Sequence, residues 1–116
     1  MISRKVAFCV KEPHPDTQSD ERFGRCPFYA VVDTESSTIT FLPNAAAGEN
    51  GAGVKAARAL IKEGVDCVVV SSIGPKAFEI LEKAGIAVYS GSEADLPALI
   101  EGFNSSRFAK LEEANQ

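Results

Sequence analysis

The sequence holds one histidine, three cysteines and no excess of basic residues, and each shortage removes a class of function. Cys9, Cys26 and Cys67 are odd in number and widely spaced, and no CxxC pair supplies half of a zinc site. In a reducing compartment such thiols stay free. The formal net charge of −4 lacks the basic face that phosphate backbones require, so nucleic acid is not an expected partner. Long apolar runs are missing too. Arg4 and Lys5 precede only the five-residue stretch Val6 to Val10, whereas a signal peptide needs about 7–15 apolar residues and a membrane span about 20. A cytoplasmic location is expected, with no membrane partner. The chain also has no internal repeat and no low-complexity segment.

What is present describes one globular domain. The 116 residues fit a single unit, and 45% hydrophobic with 24% charged residues allow a core of normal size without disulfides. The first half reads as strands. Lys5–Val10 is a nearly continuous apolar run, as a buried strand requires. Residues 11–27 are polar and proline-punctuated, hence a long loop. Phe28–Val32 and Thr38–Leu42 flank the turn residues 33–37 and predict an antiparallel hairpin. The second half changes period. Residues 51–63 carry Val54, Ala57, Leu60 and Ile61 on one helical face, with Gly64 as a stop. Asp66–Val70 is a buried strand, and Pro75 opens a helix bearing Ala77, Phe78, Leu81 and Ala84 that Gly85 ends. Ile86–Tyr89 is another strand. Leu96, Leu99, Ile100 and Phe103 follow helical spacing, with Ser92 and Asp95 as cap residues and a start near Glu93. Asn104 to Gln116 reads as a frayed polar tail, in which Phe108 and Leu111 are the residues able to dock. The order β-β-β-α-β-α-β-α predicts an α/β fold: a mixed five-stranded sheet of ribonuclease H-like topology with helices on its faces, over residues 1–103, followed by the tail 104–116.

Ligands in open α/β sheets gather beyond the carboxyl ends of the strands. Four segments meet there: the loop after the first strand, the Gly51 region, the Ser71–Pro75 turn and the Gly91–Ser92 turn. In the first, Arg22-Phe23-Gly24-Arg25-Cys26 sets two guanidinium forks around a thiol. Neighbouring cations favour the thiolate, the form that ligates metal, and the forks suit a bulky anion. The plain alternative is that the arginines are solvated and Cys26 fills an apolar niche. In the second, Gly51-Ala52-Gly53-Val54-Lys55 fails the Walker pattern, because Val54 stands where lysine is needed. A glycine-rich helix N-terminus remains, which is a generic anion site, or simply a packing feature. Ser72 and Gly74 belong to a strand-to-helix turn whose serines can equally act as caps. His14, between Pro13 and Pro15, is a candidate metal ligand or a solvated side chain. Cys9 and Cys67 sit within apolar strands and read as core. No catalytic constellation assembles. A two-metal nuclease needs several carboxylates, yet the first strand carries none, Asp33 falls at a turn and Asp66 starts its strand.

The segments Glu21–Tyr29, Val31–Thr34, Asn44, Gly51–Gly53, Ile73–Phe78 and Ala84–Ile86, in this order, resemble the nitrogenase iron–molybdenum cofactor-binding family over Val6 to Phe103. The resemblance implies a ribonuclease H-like fold and a non-enzymatic role in holding or handing on iron–sulfur or molybdenum-containing clusters. Short stand-alone relatives include the orange proteins of sulfate-reducing bacteria, which carry a molybdenum–copper sulfide cluster. Nitrogenase-linked members commonly have histidine where this chain has Arg22, which favours the stand-alone branch. The expected cofactor is thus a preassembled molybdenum-containing metal–sulfide cluster, of Mo/Cu sulfide or Fe/Mo/S type, carried by a monomer. Cofactor-binding candidates are Arg22, Phe23, Gly24, Arg25, Cys26, Gly51, Gly53, Ser72 and Gly74. Metal-ligand candidates are Cys26 and His14. One thiol cannot complete a cluster's coordination, since covalently held iron–sulfur clusters usually take four protein ligands, so arginines should matter at least as much as Cys26. A second reading is a partner-binding regulatory module acting with a cluster-assembly ATPase, through residues 11–27 and the tail, with metal incidental.

Overall fold

The structure, a computed structural model, describes residues 4–116; the first three positions of the expected domain lie outside the described residues. Six strands and three helices follow in the order β1 (Lys5–Val10), β2 (Phe28–Asp33), β3 (Thr38–Pro43), α1 (Ala52–Lys62), β4 (Cys67–Val70), α2 (Pro75–Lys83), β5 (Ala87–Ser90), α3 (Leu96–Asn104) and β6 (Ala109–Lys110). One open sheet has the order β3-β2-β1-β4-β5-β6. β1 pairs antiparallel with β2 and parallel with β4, which pairs parallel with β5.

β1 is central and both its faces are covered, which is why its sequence reads as an unbroken apolar run. Its side chains alternate between two cores. Ala7 and Cys9 join Tyr29, Val31, Val68, Val70 and Val88 under α1 and α2, whose Leu60, Phe78 and Leu81 complete that layer. Val6, Phe8 and Val10 join Ala30, Val32, Cys67 and Val69 under Leu96 and Leu99 of α3. Burial of side chains this size stabilises by about 1.5–3 kcal/mol each relative to exposure, so both layers are needed to hold the sheet.

Two expectations change. The sheet has six strands, since the segment expected to fray comes back along the sheet, with Tyr89↔Lys110 and Ser90↔Ala109 in register. Leu111 N–H donates to Val88 O at 2.8 Å, Leu111 and Ala114 pack on the α1/α2 core, and Phe108 packs on the other. Phe108 and Leu111, the two residues able to dock, are both packed against the sheet's cores. α3 starts at Leu96, later than Glu93, because Asp95 is the N-cap and its carboxylate accepts from Ala98 N–H at 3.0 Å. Among the described residues, no helix is long and apolar enough to cross a membrane.

Candidate functional site

β1 hands the chain to β2 on one side, and β4 hands it to β5 on the other, so a switch point opens between the carboxyl ends of β1 and β4. A cleft of about 550 Å³ lies there. Its walls are Arg22, Phe23 and Arg25 from the loop after β1, Gly51 to Val54 at the start of α1, Ser72 and Gly74 to Ala77 at the start of α2, and Gln116.

The loop is held by its backbone. Arg22 O accepts from the N–H groups of Arg25 (3.0 Å) and Cys26 (2.9 Å), and a parallel bridge joins Arg22 to Ser72. Gly24 has φ +91° and lies so close to α1 that a Cβ there would sit 2.7 Å from Gly53 Cα. No other residue type fits this approach without movement. Two side chains outside the cleft secure the turn. Tyr29 Oη accepts from Gly24 N–H at 2.9 Å, and Asn44 Nδ2 donates to Gly24 O (2.8 Å) and Cys26 O (2.9 Å).

The two helix starts are alike. Gly51 caps α1 and Gly74 caps α2, neither with a side-chain hydrogen bond, and neither first turn contains an acidic residue. The first N–H groups of each helix have no intrahelical partner, and the helix dipole adds positive potential there. Arg22, Arg25 and Lys76 supply three cations, while no Asp or Glu side chain is on the wall among the described residues. Among the described residues, Arg25 and Lys76 carry no ion pair. Arg22 does, to the buried Asp20 at 2.9 Å. Arg22's hydrogen bonds hold the Asp20 carboxyl below the usual carboxylate range, despite burial, and Asp20 raises the guanidinium in return. At the α2 side, Asn115 Oδ1 accepts from Ile73 N–H (2.8 Å) and its Nδ2 donates to Ser71 O (3.0 Å), bringing Gln116 to the rim.

Seven of the nine expected cofactor-binding residues therefore line one cleft, with Gly24 behind them. Cys26 is set apart. It is fully buried in the α1/α2 core, in the cluster that also holds Cys9. Hydrogen bonding with Cys26, together with burial, pushes the Cys9 thiol well above the usual thiol range. The two arginines that precede Cys26 in sequence line the cleft, and the buried thiol does not. His14 is exposed in the outer loop, where Nδ1 accepts from Asp16 N–H at 3.0 Å, and it is not among the cleft residues. Among the described residues, no three His, Cys, Asp or Glu side chains are grouped to hold a metal ion. Ser92 lies in a neighbouring depression of about 660 Å³ with Lys11, Ser19 and Asp20. The two hollows share Glu21's neighbour Arg22 as their divide. Sequence reasoning missed Asp20, Lys76, Asn115 and Gln116. Only Lys76 left a signal, as a cation one residue into a helix.

Comparison with known proteins agrees with this fold. The model of a family described as dinitrogenase iron-molybdenum cofactor matches residues 4–106. An uncharacterized protein of Methanocaldococcus jannaschii is 29% identical over 104 residues, which is 86% of this chain and 88% of the relative. The apo form of the orange protein from Desulfovibrio gigas superposes with a TM-score of 0.92 at 28% identity, covering 97% of each chain. A Thermotoga protein described as a NifB candidate superposes with a TM-score of 0.86 at 27% identity, again over 97% of each chain.

Proposed function

Since this chain belongs to the dinitrogenase iron-molybdenum cofactor family, we propose that it is a non-enzymatic carrier whose cargo is a preassembled, anionic, molybdenum-containing metal–sulfide cluster. We read its strand order as ribonuclease H-like, with β6 as an addition to the five-stranded plan. The observation that carries the function is the cleft itself: two helix starts without a side-chain cap and three cations, around a space that no described Asp or Glu side chain lines.

Such a wall attracts an anion without bonding to its metal. Backbone N–H groups and arginine forks complement the sulfide or oxide surface of a cluster that already owns its ligand shell. The likeness to an orange protein supports a cluster rather than a simple oxyanion, and a space near 550 Å³ accepts a species of several heavy atoms. Cys26 contributes to the loop's packing, and no chemical step on the cargo is assigned to any residue.

The test is anaerobic titration of the purified chain with tetrathiomolybdate and copper(I), and separately with an iron–molybdenum–sulfur precursor. The expected result is charge-transfer absorption that saturates at one cluster per chain and stays with the protein through gel filtration. Metal eluting apart from the protein in both series refutes the carrier reading.

A further inference from the structure

Arg22 and Asp20 form an arrangement that a simple cationic pocket does not need. The Asp20 side chain is 2% exposed, whereas that of Arg22 is 62% exposed. Asp20 Oδ1 accepts from Arg22 Nε at 3.0 Å and from the Arg22 backbone N–H at 2.9 Å, and Oδ2 accepts from Nη2 at 2.9 Å. Asp20 is itself tied to the central strand, its N–H donating to Cys9 O at 2.9 Å. A guanidinium carries five N–H donors in one plane. Two are spent on Asp20, so three remain, fixed in direction by the carboxylate's plane.

We propose that Asp20 is a positioning residue for cargo capture: it cancels the charge of Arg22 and fixes its guanidinium as a three-donor fork at the divide between the two hollows, leaving net attraction to Arg25 and Lys76. The proposal rests on the carrier reading of the cleft. It assigns the cations different work. Arg25 and Lys76, which have no ion pair among the described residues, draw the anion in through space. Arg22 reads its shape, because two parallel N–H bonds fit the edge between adjacent sulfide or oxide atoms, and lysine offers no such fork.

Charge and position make opposite forecasts for one substitution. Asp20→Asn removes a negative charge beside the cleft, so if charge alone governed capture, affinity would rise. Under the positioning role the fork loses its reference plane and affinity falls. Arg22→Lys keeps the charge and removes the fork, and thermal unfolding reads separately what the loss of the paired bonds to the buried Asp20 does to folding.

The experiment titrates the full chain with tetrathiomolybdate and copper(I) at several salt concentrations, for wild type, Asp20→Asn, Arg22→Lys and the double variant, each first checked by thermal unfolding. Each single variant is expected to weaken binding roughly tenfold, the worth of one charge-assisted hydrogen bond. The double variant should be no weaker than the worse single one, because both remove the same fork. Asp20→Asn should also show a steeper salt dependence, since it exposes the full charge of Arg22, and a merely loosened loop does not produce that combination. Unchanged or tighter binding by Asp20→Asn, or unchanged binding by Arg22→Lys, overturns the proposal while the carrier reading stands. Absence of binding by the wild type sinks both.

Discussion

Replacing Gly24 with alanine measures how tightly the loop after β1 is seated on α1, the contact that shapes the cleft. Two costs combine there. Gly24 has φ +91°, where an L side chain is strained by about 1–2 kcal/mol. Its Cβ would also lie 2.7 Å from Gly53 Cα and 2.8 Å from Gly53 N, backbone atoms that cannot swing aside. Forcing that contact adds about 1–3 kcal/mol, as overpacking does elsewhere. The sum is about 2–5 kcal/mol, a large part of the ~5–15 kcal/mol that holds a domain folded.

Two other glycines separate the costs. Gly51 has φ +73° and nothing within 4 Å of a built Cβ, so Gly51→Ala carries the strain alone, about 1–2 kcal/mol. Gly48 has neither feature, so Gly48→Ala should fall within about 0.5 kcal/mol of wild type. Thermal unfolding reads the series directly, at roughly 4 °C per kcal/mol for a chain of this size. The expected order of loss is Gly24 > Gly51 > Gly48, with Gly24→Ala also weakening cargo binding because Phe23 and Arg25 move with the loop. Equal losses for Gly24→Ala and Gly51→Ala would refute the close approach.

Cys26→Ser should keep cargo affinity within twofold or so while costing about 1–3 kcal/mol of stability, since the change falls in the core and not on the cleft wall; loss of binding with stability intact would place the thiol on the cargo. Asp20, held below its ordinary value of 3.8 by Arg22, adds stability that is complete above that value and disappears as pH falls from 3.8 through the lower folded value. Urea midpoints should therefore fall more steeply in that acid window for wild type than for Asp20→Asn, and parallel curves would contradict the pairing. Asn115→Ala should cost about 1–2 kcal/mol and speed amide exchange at Ile73, whose N–H loses its 2.8 Å acceptor; unchanged exchange would mean the tail does not dock there in solution.

Local pattern made the frame legible and missed what tertiary register decides. β1 and β4 were readable because strands covered on both faces must be apolar throughout. The two glycine-led helix starts were readable because glycine and proline signal their own backbone geometry. For Cys26 the sequence left open a thiol on the site or one in an apolar niche, because it stands between Arg25 and Pro27 in a polar stretch and nothing local reveals that the turn closed by Arg22 O carries it inward. Asp20 drew no reading from the sequence, because the backbone bond to Cys9 O that holds it beneath the loop joins residues eleven apart. β6 is two residues long and owes its existence to β5, so no periodicity precedes it.

The separation of thiol from cleft bears on what a carrier must do after capture. A cluster bonded to cysteine sulfur leaves only when that bond is exchanged, whereas an anion held by N–H groups and cations leaves when a better electrostatic partner arrives. Cys26 lies inside, in the same core cluster as Cys9, and Arg25 and Lys76 line the cleft with no ion pair among the described residues. Charge-assisted contacts of ~1.5–3 kcal/mol each, several together, hold a cargo firmly enough to carry it. Each is also lost singly, so release proceeds contact by contact without ligand exchange at metal. On the carrier reading proposed above, burial of Cys26 keeps its sulfur from competing for the cargo's metal, while the residue still packs beneath the loop that presents the arginines.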